Sequence, residues 1–262
     1  IPFCEDSAVI ARHLPKTADG KIDRDRAAAL RIEFDRCSLN MIGGGSSKNV
    51  RNYPVSYLII DEADIIDESI RREVEQRIKG RRSYKIFISS TPLEEGGIWA
   101  EYLMGDQRKY LMPCPHCEKH ISFEWRKGKG EYNIRFPEAA KGEDGSYDWH
   151  MIKAATTYAC QECGGDITDT DKIKMLRQGH WHPTAQGEPG VRSYHLNSLY
   201  SPTITFAEML TRWLRAQDSI DGLKQFVTGW LAEPWREEIL DVTDEATHLL
   251  AGDYDRGDLM GE

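Results

Sequence analysis

Val55-Ser-Tyr-Leu-Ile-Ile-Asp61-Glu62 limits the fold of this chain more than any other stretch. It is a short apolar run with adjacent carboxylates at its end. Such runs form parallel strands buried on both faces, and α/β folds set their sites at the C-terminal tips of those strands. A second run, Tyr84-Lys-Ile-Phe-Ile88, ends in Ser89-Ser90-Thr91-Pro92. Between the two, Ile70, Val74 and Ile78 recur every four residues, which predicts a helix over 68–78 with one buried stripe. The expected class is α/β, with one site served by both strand ends.

An acid pair at a strand tip has a known use in P-loop ATPases. The first acid holds magnesium and the second polarises water. Here those residues are Asp61 and Glu62. Carboxylates also favour helix N-termini, so Asp61-Glu62-Ala63-Asp64 has a purely structural reading as well. No G-x-x-x-x-G-K-[ST] stretch occurs. Gly43-Gly44-Gly45-Ser46-Ser47-Lys48 lacks the second glycine before its lysine. It leads into Asn49–Pro54, not into a helix whose N-terminus would hold phosphate. It reads as a flexible loop. With Ile1 as first residue, the chain reads as a fragment whose phosphate loop lies upstream.

Four of the six cysteines form two pairs of identical spacing, Cys114-Pro-His-Cys117 and Cys160-Gln-Glu-Cys163. Two thiolates two residues apart can face one metal, and two such pairs close a tetrahedral shell. The expectation is a structural zinc ion held by Cys114, Cys117, Cys160 and Cys163, with no position open for catalysis. A redox dithiol is the alternative. His116 sits inside the first pair and could replace a cysteine, but four thiols already fill the shell. Cys37 is expected to pack as a small apolar group.

At 40% hydrophobic residues the chain can build a core, and its net charge of -9 excludes a protein that coats nucleic acid along its whole surface. Any DNA contact must be local. Arg71, Arg72, Arg77, Lys79, Arg81 and Arg82 form one basic run, read first as a solvated face. No apolar run approaches a membrane span and no signal-peptide pattern opens the chain, so it reads as cytosolic.

Further elements are expected as short helices near 8–14 and at the centre of 23–30, and a strand or hairpin over 31–42. A helix over 98–104 and strands over 108–112, 121–125 and 156–159 follow. After these come a helix over 169–179 capped by Thr168, a strand over 191–199, and helices near 206–217 and 222–231. The aromatic stripes of the last two helices read as core. The tail from Asp241 is acidic and reads as a linker.

The order of these pieces is more specific than any one of them. Asp61-Glu62 is followed by Ser89-Ser90-Thr91-Pro92, then by Tyr110-Leu-Met-Pro-Cys114-Pro-His-Cys117 and Tyr158-Ala-Cys160 to Cys163. Tyr194-His-Leu-Asn-Ser-Leu-Tyr-Ser201-Pro202 and Phe226 to Glu233-Pro234-Trp235 complete the series. Over about residues 25–240 the chain resembles the large terminase subunit of lambda-type tailed phages, the motor that packages DNA into the capsid. The resemblance implies a partial RecA-like P-loop ATPase domain with an inserted zinc-ribbon module. Asp61 would hold magnesium with ATP, and Glu62 would activate water. Ser89, Ser90 and Thr91 would couple hydrolysis to DNA movement. The implied layout is the latter part of the ATPase domain over 1–107, the zinc ribbon over 108–185, the return strand and helices over 186–240, and an acidic linker over 241–262 toward a missing nuclease domain. Implied partners are double-stranded viral DNA, the small terminase subunit and the portal of the procapsid, in an oligomeric motor ring without a membrane. The implied location is the host cytoplasm, transiently on the procapsid. By this pattern ATP hydrolysis needs the upstream phosphate loop.

Two rivals share parts of the pattern. Asp61-Glu62-Ala63-Asp64 spells the second motif of DEAD-type helicases, yet no His-Arg-x-Gly-Arg stretch follows. A non-catalytic zinc-ribbon module that binds DNA or protein fits the missing phosphate loop, but gives no reason for paired carboxylates at a strand end.

Overall fold

The structure is a computed structural model that describes residues 2–28, 30–43, 54–128 and 131–236. Gly44–Lys48 of the glycine-rich loop and the acidic tail from Asp241 lie outside the described residues. Two compact units divide the chain: Ile1–Ile60 with Ile65–Ile88, and Asp61–Asp64 with Ser89–Glu262.

The first unit begins with two short helices, α1 (Pro2–Asp6) and α2 (Ala8–Ala11). A small antiparallel sheet follows, β1 (Ala27–Ala28), β2 (Arg31–Glu33) and β3 (Ser38–Asn40). Leu14, Ala27 and Ile32 form its core, with Cys4 packed against them. Residues 23–30 are not helical at their centre. The Asp23 carboxylate accepts from the Asp25 and Arg26 amides, and this local turn competes with a helix. Cys37 is exposed, because it falls in the turn between β2 and β3, where there is no core to join.

β4 (Tyr57–Ile60) and β5 (Lys85–Ile88) then pair in parallel, with Ile60 opposite Ile88. The crossover holds α3 (Glu68–Glu75), extended by a tight turn over Gln76–Ile78. Asp67 caps α3 through the Ser69 amide. Ile70, Val74 and Ile78 are half-buried along one side. Of the basic run, Arg72, Lys79, Arg81 and Arg82 are exposed, and Arg72 pairs with Glu68. The strands are not buried on both faces as the sequence suggests. Tyr57, Ile59 and Phe87 are 72%, 68% and 58% exposed, since this sheet has only two strands among the described residues.

The second unit holds the main core. It runs through α4 (Gly97–Met104), β6 (Lys109–Pro113), β7 (His120–Ile121), β8 (Arg126–Gly128), β9 (Glu131–Tyr132) and β10 (Ile134–Arg135). Next come α5 (Trp149–Ala155), β11 (Thr157–Ala159), β12 (Asp166–Ile167), α6 (Asp169–Gln178) and β13 (His180–His182), and last α7 (Phe206–Ala216) and α8 (Ile220–Gln225), the latter continued by a π turn over Phe226–Trp230. Two three-stranded sheets form, in the orders β13-β6-β7 and β10-β11-β12. Thr168 and Asp171 make a reciprocal capping box at the start of α6. The stripes of α7 and α8 are core: Phe206 meets Phe123 and Tyr158, and Trp213 meets Trp125 and Phe226. Lys172 is buried there too, paired with Asp169 at 3.0 Å and lying over the Phe206 ring.

Two expected strands give way to side-chain bonding. Of the expected 121–125 strand only Ile121 falls in β7, because the Phe123 and Glu124 amides donate to the hydroxyls of Tyr200 and Tyr158. Over 191–199 the expected strand is reduced to an isolated parallel bridge of Tyr194 with Arg108. Ser193, His195 and Asn197 each spend their side chains on distant carbonyls, of Tyr102, Leu231 with Ala232, and Phe123. Segments held this way take an irregular path. No described helix is long and apolar enough to cross a membrane.

Candidate functional site

The parallel register that sets Ile60 opposite Ile88 delivers Asp61 and Ser89 side by side. Ser89 Oγ donates to Asp61 Oδ1 at 2.7 Å, and the same oxygen accepts from the Glu62 amide at 3.1 Å. The two loops are stitched further. Ala63 N donates to Ser89 O at 3.1 Å, and Asp64 N donates to Ser90 Oγ at 3.1 Å. Glu62 holds φ at 52°, in the left-handed region that side chains other than glycine rarely adopt. Asp61 and Glu62 are both exposed, so both carboxylates can reach a ligand. Asp61 Oδ2 has no hydrogen bond among the described residues, which leaves a hard anionic oxygen of the kind that suits magnesium.

Asp64 has a role that the sequence hid. Its Oδ1 accepts from the Ile98 amide at 2.7 Å, at the first turn of α4. The pairing spans 34 positions, and nothing in the local pattern signals it.

The four cysteines also come together. Each pair forms the turn of an antiparallel hairpin, Cys114 and Cys117 between β6 and β7, Cys160 and Cys163 between β11 and β12. The two turns share one geometry. Glu118 N donates to Cys114 O and Cys114 N to Lys119 O; Gly164 N donates to Cys160 O and Cys160 N to Gly165 O. The residue after each second cysteine has positive φ, Glu118 at 60° and Gly164 at 71°. All four Sγ atoms lie within 4.8 Å of one another. Cys114–Cys163 and Cys117–Cys160 are each 4.0 Å apart. A tetrahedron with metal–sulfur bonds of ~2.3 Å has edges of ~3.8 Å, so the cluster fits one ion. Hydrogen bonding by the Gly165 amide brings the Cys163 thiol down to about 7, while burial pushes Cys114 and Cys160 up. His116 is not part of the cluster; its Nε2 lies 2.7 Å from the Asp166 carbonyl.

A cleft of about 460 Å³ lies elsewhere in the second unit, lined in part by Trp99, Tyr102, Glu124, His195 and Glu233. It joins the 194–202 and 233–235 motifs, which the sequence singles out without showing that they meet. His195 Nε2 is 3.1 Å from Leu231 O and 2.9 Å from Ala232 O, so that nitrogen carries the proton. Burial holds His195 below the usual histidine range and Glu233 above the usual carboxylate range.

The molecule is thus an α/β chain with a carboxylate–hydroxyl site at paired strand ends and a four-cysteine hairpin module. Its residues 2–181 match the family described as phage terminase large subunit gpA, ATPase domain, and the chain belongs to that family. Residues 191–259 match the endonuclease domain of the same subunit. The chain is 25% identical over 240 residues to the terminase large subunit of Enterobacteria phage P21, covering 86% of this chain and 37% of that protein. It is 24% identical over 241 residues to the terminase large subunit of Escherichia phage lambda, covering 84% and 36%. The chain therefore spans a little over a third of the length of the curated relatives it matches. No solved structure matches it.

Proposed function

We propose that this chain is part of the ATP-hydrolysing motor that packages phage DNA into the procapsid. In this reading β4 and β5 belong to a RecA-like ATPase body, and residues 108–185 are a zinc ribbon. The observation that carries it is the Ser89–Asp61 hydrogen bond, with Glu62 next in the chain. Hydrolysis of a phosphoanhydride needs an aligned water, a carboxylate to orient it, and a cation against the developing charge. Asp61 would hold magnesium with ATP, and the ion would supply that cation. Glu62 accepts a hydrogen bond from the attacking water and orients it. Ser89 fixes the Asp61 carboxylate, so a displacement of the 89–91 loop is felt at Asp61 and the reverse. That reciprocity is what a coupling segment requires, and Ser89, Ser90 and Thr91 are assigned to it. The four cysteines would hold zinc, which would cross-link the two hairpins and supply no reaction chemistry. Double-stranded DNA, the small terminase subunit and the portal are the proposed partners, in a ring of subunits in the host cytoplasm. Residues 191–259 match the endonuclease domain, so 241–259 are assigned to the nuclease part and not to a linker toward it.

The test is Glu62→Gln in the complete large subunit. ATP binding is retained and phosphate release is abolished. Turnover close to that of the parent removes Glu62 from this role.

A further inference from the structure

A left-handed backbone at a glutamate costs free energy and persists only where the chain on both sides is fixed. Before Glu62, the Asp61 carboxylate binds the Glu62 amide. After it, Ala63 and Asp64 donate their amides to Ser89 O and Ser90 Oγ. Those contacts join two loops to each other. A further contact joins them to a regular element: Asp64 Oδ1 accepts from Ile98 N at 2.7 Å. Gly97 makes this approach possible. It has φ of 55°, and a Cβ at that position would clash with the Asp64 carboxylate. The helix so reached is itself anchored, since the Trp99 and Tyr102 rings each lie 5.9 Å from the His195 ring.

We propose that Asp64 is a positioning residue for the reaction assigned to Glu62, holding Glu62 in its left-handed conformation by tying the 61–64 loop to the first turn of α4. The proposal rests on the ATPase reading above. Asp64 does not touch the reacting atoms. It acts through the peptide that sets the direction of the Glu62 side chain. The plainer alternative is that Asp64 only caps α4, and the two differ in what they change. A cap affects stability. A positioning residue affects turnover, while nucleotide affinity, set by other groups, stays in place.

The experiment uses the complete large subunit and compares Asp64→Ala, Asp64→Asn and Glu62→Gln, measuring kcat, KM for ATP and the melting temperature. Asp64→Ala is expected to lower kcat by about tenfold or more, as loss of a hydrogen bond to a charged group does, with KM within about twofold. Asp64→Asn keeps an Oδ1 acceptor and restores most of kcat. An Asp64→Ala enzyme with parent-like kcat overturns the proposal. So does a kcat loss that follows the melting temperature and that Asn does not rescue. If Asp64→Ala does not fold, Asp64→Glu keeps the charge and displaces the acceptor; kcat falls if the proposal holds, and a parent-like value overturns it. Glu62→Gln separates the two levels. An inactive Glu62→Gln beside a fully active Asp64→Ala sinks only the positioning role. An active Glu62→Gln sinks the ATPase assignment and this proposal with it.

Discussion

Ser89 Oγ donates a 2.7 Å hydrogen bond to Asp61 Oδ1, although 28 positions separate the two in sequence. The bond is the product of register: a slip of the β4–β5 pairing by one residue would turn one of the two side chains to the opposite face. Ser89→Ala in the complete subunit is expected to lower kcat by about tenfold, the effect of one hydrogen bond to a charged group, with little change in the melting temperature. Steady-state phosphate release checks this. A parent-like kcat would remove Ser89 from the coupling assignment.

The cysteine cluster predicts a metal content. Purified under reducing conditions, the chain should carry about one zinc ion, in line with a single four-thiolate site. Cys114→Ser should lose that ion and lower the melting temperature, because the two hairpins that an ion at the cluster would join flank Tyr158 and Met112, both fully buried. Protons compete with the metal for thiolates, so affinity falls as pH falls. Cys163, at about 7, is the first thiol to ionise as pH rises, and the buried Cys114 and Cys160 need the metal to ionise near neutrality. Elemental analysis with melting curves tests this; unchanged metal content in Cys114→Ser would refute it.

Much of this was legible in the sequence, and the limits have a physical reason. The β4 and β5 tips follow from apolar runs with polar ends, and the cysteine hairpins from repeated spacing. Both signals are local. The Asp64–Ile98 bond, the left-handed Glu62 and the meeting of His195 with the Leu231 and Ala232 carbonyls are not local, and no short window encodes them. The 191–199 segment alternates like a strand. Its Ser193 and Asn197 side chains outbid the ladder by bonding backbone far along the chain. The exposure of Tyr57 and Ile59 was hidden for a related reason, since composition reports what a strand is suited to bury and not which neighbours cover it.

Gly97→Ala separates space from flexibility at the start of α4. With φ of 55° and the Asp64 carboxylate too close to the place of a Cβ, the substitution both strains the backbone and displaces Asp64. The expected cost is about 1–3 kcal/mol, read as a fall in the midpoint of denaturant unfolding. Gly96→Ala is the control, because a Cβ there meets open space and φ is negative. Equal effects of the two substitutions would count against the packing account.

The cleft beside α4 gives the stability a pH dependence with two opposed parts. Burial lowers the pKa of His195 below its ordinary value of 6.5, so the unfolded chain takes up the proton first. Stability from this group is complete above about pH 6.5 and falls as pH drops toward the lower folded value. Burial raises Glu233 above its ordinary 4.5, so the folded chain takes up that proton first. Its charged form destabilises the fold at neutral pH, and the penalty fades as pH falls through the raised folded value. Lys109 and Glu124 act on both groups, and Arg126 and Arg236 on Glu233, which fixes the surroundings in which the two titrate. His195→Gln retains an amide donor for the Leu231 and Ala232 carbonyls and cannot be protonated. It should flatten the loss of melting temperature below about pH 6.5. Glu233→Gln should raise the melting temperature at about pH 8, with a gain that shrinks toward about pH 4.5. Melting curves recorded across that range decide the matter: profiles of both variants that run parallel to the parent would mean that neither group is desolvated by the fold.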